Sequence, residues 1–334
     1  MLGTPGLLSC GPSSGIRLNV FNWSNYVAPD TIARFATEFG AHVRYGTYES
    51  NEEMLARVFS GNSGWDVVFP SNSFIGPMRE NALLAPLRHE WLLNLSNLEI
   101  SLRSPTWDPA LLYSVPYMWG ASGIIFNRAV NGRPSAWDDL WKENLRGRLT
   151  MLDDPAEVLG ACLKKLGYSL NSISEVELRK AQGEAFRQKR LLMAYLNAEV
   201  RDQLVSGDIL CAQLWATTAS QAMTASSELE FVFPSEGFGL YADTVVILRE
   251  SRRRELAHRF IDYLLRPQVA ADIVVSCRTS TANAAARVLL PASLRNDQTL
   301  FPPDAVLSRG EWFATLPAAA QRLRDRIWTE IKSA

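Results

Sequence analysis

Ile16-Arg17-Leu18-Asn19-Val20-Phe21, Asp30 through Phe39, Val43-Arg44-Tyr45, Ser50 through Phe59 and Trp65-Asp66-Val67-Val68-Phe69 together decide the fold. The first, third and fifth pieces read as strands. In the second, Ile32, Phe35 and Phe39 recur at helical spacing and share one face. The fourth opens on Ser50-Asn51-Glu52-Glu53, a capping box in which hydroxyl and carboxylate each satisfy a free backbone N–H. Its helix buries Met54, Leu55, Val58 and Phe59 before Gly61 stops it. Trp65–Phe69 is apolar except for Asp66, as expected of a strand covered on both faces, and Pro70-Ser71 ends it. Strand, helix, strand, helix, strand predicts a wound α/β unit with a largely parallel sheet.

The alternation starts again farther on. We expect a helix over Ser135–Leu145, a strand over Arg148–Leu152 and a helix over Asp154–Leu166. That last helix aligns Leu159, Cys162, Leu163 and Leu166 on one stripe. Strands are expected near Leu191–Tyr195, Leu210–Trp215, Leu229–Phe233 and Leu240–Leu248, and mostly helix from about Ser251 onward. Two α/β series predict two lobes with a cleft between them. In such sheets ligands bind beyond the carboxyl ends of the strands.

The totals narrow the function. A net charge of −1 over 334 residues provides no basic face for nucleic acid. The run Arg252-Arg253-Arg254 reads as a solvated helix start. No stretch reaches the roughly 18 apolar residues of a membrane-spanning helix. Cys10, Cys162, Cys211 and Cys277 lack zinc or redox spacing, and His42, His89 and His258 share no motif, so neither a metal nor another cofactor is expected. Cys162 and Cys211 read as core. Cys10 differs: it follows Leu7-Leu8-Ser9 and precedes the flexible run Gly11–Gly15. That pattern resembles a bacterial lipobox, although no basic leader precedes it. Residues 1–15 are therefore expected to be a signal or lipoprotein tether remnant, with Cys10 the lipidation site.

Aromatic and acidic residues collect where the strands end. Trp23, Ser24, Asn25 and Tyr26 follow the first strand, and Ser71 follows the third. Asp154 and Glu157 follow Leu152, Trp215 follows Leu214, and Tyr241 stands two residues before Asp243. Aromatic walls with spaced carboxylates suit an amphipathic organic cation. The carboxylates neutralise ammonium ends, and ring faces cover methylenes and attract charge. Competing structural roles exist for several of these residues. Asp154-Pro155-Ala156-Glu157 is also a helix start with Pro at the first position. Trp23 and Trp215 could be core, and Ser24 and Ser71 could cap turns. Trp119 reads as structural.

Several collinear segments resemble the spermidine/putrescine-binding proteins of bacterial polyamine ABC transporters. They are Phe21–Val27, Thr47–Glu52, Asp66–Ser71, Val115–Gly120, Leu152–Val158, Lys165–Ser169, Phe260–Pro267 and Gly310–Trp312. The resemblance implies a two-lobed periplasmic-binding-protein fold of type II, each lobe a mixed, mainly parallel sheet flanked by helices. Residues 16–121 and 243–286 would form the first lobe, and residues 122–242 and 287–334 the second. It implies an extracytoplasmic receptor, a monomer, that closes on putrescine or spermidine and delivers it to a membrane permease. By the same resemblance Trp23, Tyr26 and Trp215 are cleft aromatics. Ser24 and Ser71 are polar contacts, Asp154, Glu157 and Asp243 bind ammonium groups, and Tyr241 replaces a frequent Trp. Asn25 stands where an acid is common. Ser73 and Thr279 replace tyrosines of the spermidine binder, and Phe313 replaces a glutamine. A pocket less acidic than its relatives' is expected, which leaves open another amine or a neutral solute. Catalysis is not expected. No nucleophile has a base in a motif, and Asp154 and Glu157 lie too close on one helix start to flank a glycosidic bond.

Overall fold

The computed structural model describes residues 16–334, so Cys10 and the expected tether lie outside the described residues. Strands β1 (Ile16–Trp23) and β2 (Ala41–Tyr48) pair in parallel around the helix Thr31–Phe39. That helix ends on Gly40, whose φ of 59° is the left-handed cap glycine accepts without a Cβ penalty. The helix Asn51–Val58 begins at Ser50, which accepts the Glu53 N–H at 3.1 Å, as the capping box predicts. It leads to β3 (Val67–Val68), parallel to β1. This is the wound unit read from the sequence.

The strand the sequence hid is β4 (Ser114–Asn127), buried along all 14 of its residues. Full burial removes the alternation that marks a strand, and Pro116 cannot donate to a ladder. The chain accommodates that proline with a register shift between Pro116 and Met118. Ser114–Ala121 of β4 pairs with β9 (Phe238–Ile247). Beyond residue 121 the strand changes partners, pairing through Ser122–Phe126 with β7 (Cys211–Trp215) and through Ile124–Asn127 with β8 (Leu229–Val232). β9 continues to β3, with Val67 opposite Ile247, and β10 (Gly310–Trp312) lies beside its start. On the far side of β7 come β5 (Leu149–Met151) and β6 (Ala194–Tyr195), both parallel. Strands β1, β2 and β3 are thus mutually parallel, as are β5, β6 and β7, while β8 runs antiparallel to β4, and β4 and β9 form an antiparallel ribbon joining the two sets.

One large apolar cluster runs from Leu18, Phe35 and Phe260 through Ile124 and Phe126 to Trp137 and Leu149, and smaller clusters flank it. Phe21, Tyr48, Met54, Trp65 and Val246 pack together on one side. Ile125, Leu152, Leu204, Leu214 and Ala222 pack on the other. Leu159, Cys162 and Leu178 meet Ile327 and Ile331 of the last helix, Ala318–Ser333, which places Cys162 in the core. His258 is structural: its Nε2 accepts the Arg88 N–H at 2.9 Å while Nδ1 meets Arg254 O at 2.6 Å.

The Ser135–Leu145 segment departs from expectation. It forms two short 3-10 turns, Trp137–Trp141 and Glu143–Leu145, instead of an α-helix. Trp137 is responsible, because tertiary bonds hold it. Its indole donates to Gly237 O at 2.8 Å and its backbone N–H to Glu236 at 3.0 Å. The helix Glu175–Lys189 carries no clear apolar stripe and escaped the sequence reading.

Candidate ligand-binding site

The first-lobe half of the site is organised around Asp243 on β9, which is only 2% exposed. Its Oδ1 accepts the Ser71 hydroxyl at 2.7 Å and its Oδ2 the Tyr26 hydroxyl at 2.9 Å. Ser71 is oriented in turn by Asn51, whose amide donates to Ser71 Oγ and accepts from Ser71 N, both at 3.0 Å. With its oxygen so occupied, the Ser71 hydroxyl proton points to Asp243. Trp23 is fixed by an indole bond to Phe69 O at 2.8 Å, and its ring packs 4.8 Å from Tyr48 and 6.2 Å from Tyr26.

The second half is built on the first turn of the helix Pro155–Lys165. Asp154 caps it, accepting from Ala156 N at 2.8 Å and Glu157 N at 3.0 Å. Glu157 is 4% exposed and accepts the Trp215 indole N–H at 3.0 Å. Gln213 donates to its backbone carbonyl, tying β7 to the helix start. Capping and burial thus place one carboxylate at the helix mouth and the next inside.

Tyr241 joins the halves. Its ring crosses the backbone at Gly120, where a Cβ would lie 2.5 Å from the phenol oxygen. Burial raises its hydroxyl pKa first, and the charges of Asp243 and then Glu157 raise it further, so the ring senses both carboxylates.

Electrostatics define what this arrangement can hold. Burial pushes the Asp243 carboxyl up to about 6, against the pull of Ser71 and Tyr26. Burial and then Asp154 push Glu157 up, with Ser122 and Trp215 pulling the other way. Asp154 is raised too, chiefly by burial. Among the described residues no basic side chain offsets any of the three. The contrast with neighbouring Asp153 is direct, since Lys332 meets that carboxylate at 2.7 Å. A buried charge without a partner costs several kcal/mol. A ligand carrying positive charge would remove that cost at both ends of the site.

The structure therefore gathers Trp23, Tyr26, Ser71, Asp154, Glu157, Trp215, Tyr241 and Asp243 around two acidic poles. Ser24 instead donates to Glu49, and Asn25 is exposed at φ 56°, a left-handed conformation that asparagine tolerates. Trp119 donates to Thr281 O at 3.1 Å. Thr279 is buried and donates to Met118 Sδ, and Ser73 offers its carbonyl to Thr315. Phe313 bonds through its backbone to Leu240 and Asn72 while its ring covers Gly239. Asn51, Gln213 and Ser122 were missed by sequence reasoning. Asn51 and Ser122 are uncharged, and no spacing announces any of the three. Glu52, on the first turn of its helix, has its carboxyl raised by burial and then by Asp154 and Asp325. Among the described residues no group of three or more His, Cys, Asp or Glu is placed to hold a metal ion.

Two α/β lobes on a shared antiparallel ribbon, with acids from each left uncompensated at the junction, are the construction of a solute receptor. The chain belongs to the bacterial extracellular solute-binding proteins, whose family model matches residues 62–304. Within that class it is similar to the spermidine/putrescine-binding periplasmic protein of Escherichia coli K12, 34% identical over 319 residues, or 95% of this chain and 91% of that one. The spermidine/putrescine ABC transporter substrate-binding protein of Streptococcus pneumoniae superposes with a TM-score of 0.85 at 28% identity, covering 96% of this chain and 99% of that one. A lipoprotein of Treponema pallidum matches at 0.85 and 29% identity, covering 94% and 99%. The fold is the two-lobed one expected from the sequence.

Proposed function

We propose that this protein captures a linear polyamine between its lobes and delivers it to the membrane permease of an ABC importer. The observation that carries the reading is the pair Asp243 and Glu157: two buried carboxylates, one from each half, with aromatic rings beside them and no basic partner among the described residues. Ammonium groups would meet the carboxylates, and the faces of Trp23, Tyr26, Tyr241 and Trp215 would cover the methylenes between. The lobes are residues 16–121 with 243–286, and 122–242 with 287–334. The protein works as a monomer, in the periplasm or anchored through Cys10 at the outer face of the cytoplasmic membrane.

The ligand is short. Asp243, Glu157 and Asp154 provide three acids, and the neutral Asn25 adds none. That number is sufficient for a diamine and marginal for a triamine. Calorimetric titration with putrescine, spermidine, spermine and unrelated solutes is the test. Putrescine is expected to bind no worse than spermidine. Spermidine at least tenfold tighter would overturn the preference, and no heat with any polyamine would overturn the ligand class.

A further inference from the structure

The helix Ala216–Ala225 starts immediately after Trp215, and several of its polar residues are buried or half-buried against protein. Thr217, Ser220 and Gln221 lie at helical spacing on one side. Gln221 Nε2 donates to Cys277 O at 2.7 Å. Ser220, 1% exposed, donates to Asp297 at 3.0 Å. The Thr217 hydroxyl lies 3.4 Å from that of Thr279.

What these side chains grip is an unfinished helix end. The helix Pro267–Cys277 stops at Arg278, a non-glycine residue at φ 48°, whose backbone N–H makes no capping bond among the described residues. The last carbonyls of a helix have no partner within it. Gln221 provides one for Cys277. Asp297 receives Ser220 on one side and stands 3.8 Å from the Arg278 guanidinium on the other. Arg278 Nε is buried without a hydrogen-bond partner among the described residues.

We propose that Thr217 and Gln221, together with Asp297 held by Ser220, are positioning residues forming a polar latch across to residues 277–279 that holds the lobes closed and sets how long a bound solute stays. The latch rests on the reading of the site as a closing cleft, but touches no ligand. Its polarity suits reversible use. Amide, hydroxyl and carbonyl groups exchange one another for water at small net cost, whereas an apolar seam would resist opening.

The test uses the whole chain with Gln221→Ala and Gln221→Glu. The second keeps the side chain's length, loses the donor and sets a carboxylate against the Cys277 carbonyl, so it should open the protein more than alanine does. Stopped-flow binding of putrescine should show dissociation faster by about tenfold, the scale of one hydrogen bond, with association unchanged. X-ray scattering of the ligand-free variants should show a larger radius of gyration than the wild type. Either change supports the latch. Folded variants in which both dissociation and radius of gyration are unchanged overturn it, and so does a loss confined to association. If putrescine binds neither wild type nor variant, the polyamine reading fails and the scattering comparison alone decides the latch.

Discussion

Asp243 accepts hydrogen bonds from two hydroxyls and meets no cation among the described residues, so removing its charge and removing its bulk have separable consequences. Asp243→Ala should weaken diamine binding by more than about 2 kcal/mol, the scale of a charge-assisted hydrogen bond in a desolvated site. Circular dichroism should show the fold retained, and unchanged affinity in that folded variant would remove Asp243 from the pocket. The raised carboxyl adds a dependence on pH. Its folded value, about 6, exceeds the ordinary 3.8. The stability it gives the ligand-free form is therefore complete below about 4 and lost as pH rises through about 6. Ligand works in the opposite sense, because an ammonium needs the ionised acid. Diamine affinity should climb over that interval, and binding near pH 6 should release protons. Titration in buffers of different ionisation enthalpy reads the release directly; heats independent of the buffer would contradict it. At this scale the sequence was informative where chemistry is conspicuous. Glu157 and Trp215 stood out by charge, aromaticity and position beyond strands, and Asp243, inside β9, by its charge beside Tyr241. Asn51 did not, because an uncharged amide that only orients Ser71 looks like any helix-start asparagine.

Asp154 raises the same question for the helix it begins. As an N-cap it satisfies two backbone N–H groups, and as an acid it adds negative charge to the cleft. Asp154→Ala should lose both, costing about 1 kcal/mol of stability. Asp154→Asn keeps a capping oxygen and loses only the charge. Urea unfolding should place the asparagine variant near wild type and the alanine variant below it, while titration should find both weakened for diamine. If the asparagine variant binds as well as wild type, Asp154 is a cap only. Elements whose start or period is written locally were legible, as with Ser50 and Asp154 at their helix starts. β4 was not, because its strand character is imposed by neighbours on both faces and contradicted locally by Pro116. The turns at Trp137 were misread for a related reason: long-range bonds to Glu236 and Gly237 override a local helical pattern.

For the molecule as a whole, a solute held by acids from both halves must bridge them, and bridging biases the equilibrium between open and closed forms. Scattering with saturating putrescine should give a smaller radius of gyration than without it. Tryptophan fluorescence should change as Trp23 and Trp215 are covered. A liganded crystal structure with every ligand bond coming from one lobe would contradict the mechanism. The antiparallel ribbon has a further consequence, for the making of the chain. β3 finds its partner in β9, with Val67 opposite Ile247. The first lobe therefore waits for most of the polypeptide to be synthesised before its sheet can be completed. Pairings so distant in sequence are slow to form. Until β9 has been synthesised, the parallel unit β2–β1–β3 lacks the neighbour that covers its β3 edge.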